Sequence, residues 1–141
     1  MSADEFVAMI TFFFEGDGGP KMDGGSFGCS FCIGFYQSDQ GFLFALRDAL
    51  VSRNLVAAAG DFHVSEDPAK EDRPTCHKRT RKAYKARIYK ASVCVALARA
   101  LYDVYQDRGA AHFPKARKLK LMIDHGKPSA AAAAAYKLIK D

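Results

Sequence analysis

Two hydrophobic rhythms alternate along the chain. Residues 6–14, FVAMITFFF, are apolar except for Thr11. Ser2 and Glu5 form a capping-box pair just upstream, which predicts a helix starting at Ala3 or Asp4. A surface helix carries one apolar stripe, but this one is apolar all round and needs cover on two sides. The chain's own core supplies one side. A second copy of the same helix across a two-fold axis is the simplest cover for the other.

The rhythm then changes to period two. Pro20-Lys21-Met22 lead into Asp23-Gly24-Gly25, a hairpin-turn signal, and then into an alternating run over 26–37. Phe27, Cys29, Phe31, Ile33 and Phe35 take the core face of that run. Ser26, Gly28, Ser30, Cys32, Gly34 and Tyr36 take a small, polar face suited to a large partner. Ser38 is expected to cap a helix carrying Phe42, Leu43, Leu46, Ala49 and Leu50 and ending near Arg53-Asn54. Residues 55–65 read as a third strand bent at Gly60, and 66–74 as a charged loop. A fourth strand over 82–91 turns Tyr84, Ala86 and Ile88 to the core and Lys85, Arg87 and Tyr89 outward. Ser92 is expected to cap a helix over 93–106, Pro114 to open one that stops at Gly126, and Ser129 to begin an alanine-rich strut reaching Asp141. The predicted order is helix, hairpin, helix, hairpin, helix, with further helices behind.

Composition narrows the partner. The 141 residues fit one domain, and 49% hydrophobic content with 11 phenylalanines is enough for a packed core. The net charge is +5 and the pI about 9.1, which favours an anionic partner. Eight Lys or Arg fall within residues 73–90, making a basic sheet surface that can neutralise phosphates and read guanine. There is no run of 18 apolar residues and no basic stretch ahead of the first apolar segment, so neither a membrane span nor a signal peptide is expected. An intracellular location follows as the expectation, with the four cysteines as thiols.

The candidate chemistry sits where the first helix stops. Glu15 and Asp17, between Gly16, Gly18 and Gly19, face the negative end of the helix dipole, at a cost of roughly 0.3–1 kcal/mol each. Such a cost points to a functional role, because carboxylates beside unpaired helix-end carbonyls make a hard-oxygen pocket for Mg²⁺ or Ca²⁺. A zinc site from Cys29, Cys32, Cys76 and His77 is conceivable, but strand alternation sends Cys29 to the core and Cys32 outward, a poor geometry for one metal. Cys94 reads as a small buried apolar residue.

Residues 10–18, ITFFFEGDG, resemble the signature helix of the LAGLIDADG homing endonucleases. Phe12 and Thr11 depart from it, standing where the family has small residues that let two such helices pack closely. Residues 35–50 resemble the family's second recurring element, a strand ending in glutamine followed by a polar turn and a helix. The basic cluster after Pro114 resembles a third. The resemblance implies an α+β fold, an αββαββα core with a concave antiparallel sheet for DNA and extra C-terminal helices. Residues 1–18 would be the dimerisation helix, 20–91 the sheet with one intervening helix, and 92–141 the C-terminal helices. It implies a homodimer through residues 6–17 that cuts both strands of a long pseudo-palindromic site, is encoded within an intron, and works in the cytoplasm of an archaeon or in an organelle. Asp17 would be the catalytic metal ligand, joined by the Gly16 carbonyl, with Mg²⁺ as cofactor and Ca²⁺ or Mn²⁺ able to substitute in binding. Gln37 would order water near the scissile phosphate. Lys118 would stabilise charge there, with Arg117 and Lys115 as near alternatives. DNA contacts are expected from Lys21, Ser26, Ser30, Lys78, Arg79, Arg81, Lys85, Arg87 and Arg117. The alternative on the same scaffold is a non-cleaving nucleic-acid-binding protein, such as an intron RNA splicing factor.

Overall fold

The computed structural model describes residues 1–25, 28–67 and 83–140. Ser26, Phe27, Cys76, His77, Lys78, Arg79 and Arg81, all named above, lie outside the described residues.

Helix α1, Ala3–Asp17, begins as expected: the Ser2 hydroxyl accepts from the Glu5 backbone N–H at 3.1 Å. Arg53 fastens this end, with its guanidinium 4.4 Å from the Phe6 ring centroid and directed at the Met1 and Ser2 carbonyls. The other end runs without a linker into strand β1, Gly18–Gly25. Gly18 is required there by close approach. A Cβ would lie 2.8 Å from the Gly34 carbonyl oxygen and 2.9 Å from the Phe14 ring. Strand β2, Gly28–Gln37, pairs antiparallel with β1 up to Gly25 opposite Gly28. Asp23-Gly24, the expected reversal, instead extend the strand, opposite Ser30 and Cys29.

Helix α2, Gln40–Ser52, is capped by Asp39 and not by Ser38; the Asp39 carboxylate accepts from the Gly41 N–H at 2.9 Å and the Phe42 N–H at 3.4 Å. The expected third strand starts late. Asn54 takes a positive φ of 59°, and Leu55 and Val56 bond back to the Leu50 carbonyl. A 3₁₀ turn then covers Ala59–Asp61, and only His63–Asp67 forms strand β3. Val56 and Phe62 serve as buried anchors of that connection and not as strand residues. Strand β4 covers Ala83–Ile88, shorter than expected, because helix α3 already begins at Ala91 and runs to Asp107. Ser92 lies inside its first turn, and the cap position is Lys90. Helix α4, Pro114–His125, ends in Gly126 at φ 71°, a left-handed cap. Helix α5 is Ala130–Lys137, capped by Ser129 and ending short of Asp141.

The sheet order is β1-β2-β4-β3, antiparallel throughout. Directly opposed residues share a face, so the register sorts the side chains. Met22, Phe31, Ile33, Phe35, Ala86 and Ile88 turn inward and are buried beneath the helices. Phe35 is the centre: Phe13 stacks on it at 5.7 Å, Phe14 meets it edge-on at 6.0 Å, and Phe62 lies at 6.2 Å. Phe35→Ala is expected to destabilise the fold by about 3–5 kcal/mol, measured by denaturant unfolding, because the enclosing helices cannot collapse into the space. Cys29 falls on the inward phase yet is exposed, because it lines an open cleft with Ala130, Ala133 and Ala134 of α5 and is not sealed beneath a helix.

Candidate functional site

The helix–strand junction at Asp17-Gly18 organises the site. Side chains two residues apart on a helix diverge by about 200°. Glu15 accordingly turns back into the protein, half-buried, while Asp17 is exposed. The Tyr105 hydroxyl, on α3, donates to the Glu15 carboxylate. From the start of α4, the Lys115 ammonium donates to the Glu15 carbonyl at 2.7 Å and to the Phe14 carbonyl at 3.4 Å. The Glu15 carbonyl, which the helix leaves open at its C-terminus, thus has a cationic partner, and the Phe14 carbonyl shares it while also accepting from the Gly18 N–H. This offsets the crowding of two carboxylates at the negative end of the dipole. Gly16 is exposed, and a Cβ there would meet nothing within 4 Å, leaving its backbone open on the side of Asp17.

Lys115 is the α4 lysine whose ammonium holds the α1 terminus. Lys118 is buried at 7% exposure, with its ammonium 5.1 Å from the Tyr136 ring centroid. The Tyr136 hydroxyl in turn donates to the Pro20 carbonyl at 3.2 Å, so Lys118 approaches the start of β1 from behind. Arg117 is exposed and lines a groove of about 330 Å³ with Tyr102, Lys120 and Leu138, between α3, α4 and α5. Gln37 ends β2, two residues beyond the register partner of Gly18. Its side-chain oxygen accepts from the Ser38 N–H at 2.8 Å.

The outward face of the sheet carries the basic groups. Its rows are Gly19, Gly34, Arg87 and His63; Lys21 and Cys32; Asp23 and Ser30; and Tyr36, Lys85 and Ser65. Gly19 and Gly34 leave the centre of that face flat. Arg87 stands over it with a defined direction, its guanidinium donating to the Tyr89 hydroxyl at 3.2 Å. That bond, and a weaker one to Tyr36, push the already high Arg87 pKa further up and hold the group charged. The His63 ring lies 6.0 Å from Tyr89. Lys21 shares a solvent-exposed pairing with Asp23 at 3.7 Å, which contributes little. Tyr36, Tyr89 and His63 turn this face into a basic and aromatic surface. Strand alternation places Tyr36 and Tyr89 outward, and the same signal, applied to the third strand, could have found His63.

Among the described residues, helix α1 is covered on one side only. Phe6, Ile10, Thr11 and Phe14 are buried, while Met9 is 46% and Phe12 59% exposed. The Arg108 guanidinium lies over the Phe12 ring at 4.7 Å. Beside this face, a groove of about 640 Å³ runs between α1 and α3, lined by Val7, Ala8, Ala100 and Val104 with Asp4, Asp103 and Asp107 nearby.

Cys29, Cys32 and Cys94 are free thiols. Cys94 is buried and donates to the Ile88 carbonyl at 3.2 Å, and burial pushes its pKa up to about 12. Among the described residues, no group of three or more His, Cys, Asp or Glu is placed to hold a metal within one chain. Nor is any helix among them long and apolar enough to cross a membrane.

These features define a class: the chain has the α+β fold of the LAGLIDADG homing endonucleases. An archaeal intron-encoded homing endonuclease, I-Vdi141I, solved in complex with DNA, matches 89% of this chain and 69% of its own, at TM-score 0.51 and 14% identity. The homing endonuclease I-CvuI, solved with its target in the presence of Ca, matches 98% of this chain and 83% of its own, at TM-score 0.51 and 12% identity. No protein-family model and no curated protein sequence matches the chain.

Proposed function

We propose that this chain is a homodimeric, divalent-metal-dependent endonuclease that cuts double-stranded DNA at a long pseudo-palindromic site. The observation that carries this reading is the direct passage from a metal-competent carboxylate into a basic sheet face. Asp17 is exposed at the end of α1 and, without an intervening residue, the chain enters β1 and the surface bearing Lys21, Lys85 and Arg87. The Asp17 carboxylate and the Gly16 carbonyl are hard oxygen donors of the kind Mg²⁺ selects. One chain offers too few of them for an octahedral ion, so the remaining ligands would have to come from a second Asp17, phosphate oxygens and water. When bound, the metal supplies an activated water and neutralises charge on the phosphate. Around it, Lys115 and Lys118 place positive charge on the protein side of the junction; Gln37 stands on the inward phase of β2 with Phe35, so any water it orders lies at the end of the strand and not on the outward face. Lys21, Ser30 and Lys85 contact the backbone, which positions the duplex, while Arg87 reaches a base edge. Arg117 reaches flanking phosphates from α4.

Dimerisation is supported by the exposed Met9 and Phe12 on a helix whose opposite side is core. The direct test is incubation of the purified chain with a randomised duplex library and Mg²⁺, followed by sequencing of cut ends. Recovery of one two-fold-related sequence is the expected result, and DNA bound but never cut is the outcome that removes the enzymatic reading. The exposed Tyr36 and Tyr89 rings favour the alternative in that case, because unstacked bases of single-stranded RNA stack on such rings.

Arg87→Ala is expected to relax sequence preference at one base pair per half-site by about 1–3 kcal/mol, read from binding to single-substitution targets. Equal weakening of every sequence would assign Arg87 to a phosphate instead.

A further inference from the structure

Tyr105 lies in the last two turns of α3 at 3% exposure, and its ring meets Phe113 edge-on at 6.3 Å. Its backbone is fixed as well: the Tyr105 carbonyl accepts from the Ala110 N–H at 2.7 Å. The only polar atom of this side chain is therefore delivered to one place, the Glu15 carboxylate. Burial first, then the hydrogen bond to Glu15 and last the Glu15 charge, push the phenol pKa up, so the hydroxyl stays a donor throughout the pH range of interest. Glu15 is two residues from Asp17, on the turn whose carbonyls Lys115 also holds. A helix end ordinarily frays. Here its final turn is gripped by a side-chain tether from α3 and a main-chain clamp from α4.

We infer that Tyr105 is a positioning residue of the cleavage site, fixing the last turn of α1 through Glu15 and so setting where Asp17 points, without itself touching DNA or metal. The inference rests on the endonuclease reading. It also assigns Glu15: a carboxylate directed into α3 is the anchor, and Asp17 is the ligand.

The test uses the full-length chain on a duplex recovered from the library selection, with cleavage rate followed against Mg²⁺ concentration. Tyr105→Phe keeps the ring and removes the tether. It is expected to raise the Mg²⁺ concentration for half-maximal rate by about 10- to 100-fold, the usual effect of losing a partner that orients a metal ligand. DNA affinity in EDTA and sedimentation mass should not change. Glu15→Gln keeps an acceptor for the Tyr105 hydroxyl and should stay within about threefold of wild type, while Glu15→Ala, which cuts the same bond from its other end, should reproduce Tyr105→Phe. The double variant Glu15→Ala, Tyr105→Phe should be no worse than either single one, as expected for two residues acting through one contact. A wild-type Mg²⁺ midpoint in Tyr105→Phe or in Glu15→Ala overturns the inference, and so does a Glu15→Gln variant that is dead, since Glu15 would then be a ligand. Wild-type protein that never cuts overturns the endonuclease reading instead, a result distinguishable from all of these.

Discussion

Asp17→Asn is expected to leave a folded, dimeric, DNA-binding protein whose Mg²⁺-dependent cleavage has fallen to background. The substitution preserves the shape and hydrogen-bonding capacity of the side chain and removes the charge that a hard cation requires. Asp17 is exposed, so no buried partner is orphaned by the change. The helix end also loses a carboxylate that the dipole disfavours, worth roughly 0.3–1 kcal/mol, and loses repulsion from its twin across the two-fold axis. Stability should therefore rise slightly, and binding in Ca²⁺ should persist. Thermal melting, gel shift and cleavage on one preparation decide the matter. A variant that melts lower than wild type and still cuts DNA would show that the metal ligand lies elsewhere.

Phe12→Glu should convert the dimer into a monomer. At 59% exposure the Phe12 ring contributes little to the core, and the Arg108 guanidinium that lies over it can pair with a carboxylate instead. The cost to the isolated protomer should stay below about 1 kcal/mol. At the proposed interface the balance reverses, because two added carboxylates would face each other near the axis where the dimer would bury two aromatic rings. Losing such a central anchor costs about 2–4 kcal/mol, which weakens association by roughly 30- to 1,000-fold. Sedimentation at micromolar concentration should then move from twice 15.5 kDa to 15.5 kDa, with cleavage lost in parallel. Persistence of the dimer would place the interface away from this face of α1.

Much of the architecture was legible because the chain marks its elements with local chemistry. Ser2 with Glu5, Pro114, Gly126 and Ser129 all act where they predict, and the alternation from Phe31 to Phe35 becomes the core face of β2. The misreadings arise where two adjacent residues offer the same chemistry or where tertiary packing overrides pattern. Ser38 and Asp39 can both cap a helix, and the Asp39 carboxylate reaches two N–H groups. Residues 55–62 have a strand-like composition, but Val56 and Phe62 are used to anchor a connection. At the candidate site, Glu15 and Asp17 were legible from their unfavourable place at a helix end. Lys115, by contrast, was only one of three basic residues in a row of near equivalents. One helical turn holds Lys115, Arg117 and Lys118 in different directions, and only the packing of α4 against α1 decides which meets the α1 carbonyls. Tyr105 carried no signal at all, because a tyrosine on the core side of an amphipathic helix looks like any other packed aromatic.

The absence of any residue between Asp17 and Gly18 has a mechanical meaning. In the proposed dimer, helix and sheet of each protomer would act as one lever, with the two-fold axis as its fulcrum. Strand β2 has 10 residues and extends over about 33 Å. A change of about 5° in the angle at which two α1 helices cross would displace the far end of each sheet by about 3 Å, close to the 3.4 Å rise of one base pair per strand. On the proposed dimer, the spacing between half-sites would be gauged by the crossing angle, with the bulk of Phe12 as the dimension that sets it. Swapping Phe12 for a smaller apolar residue would recalibrate the ruler while leaving every DNA-facing side chain in place.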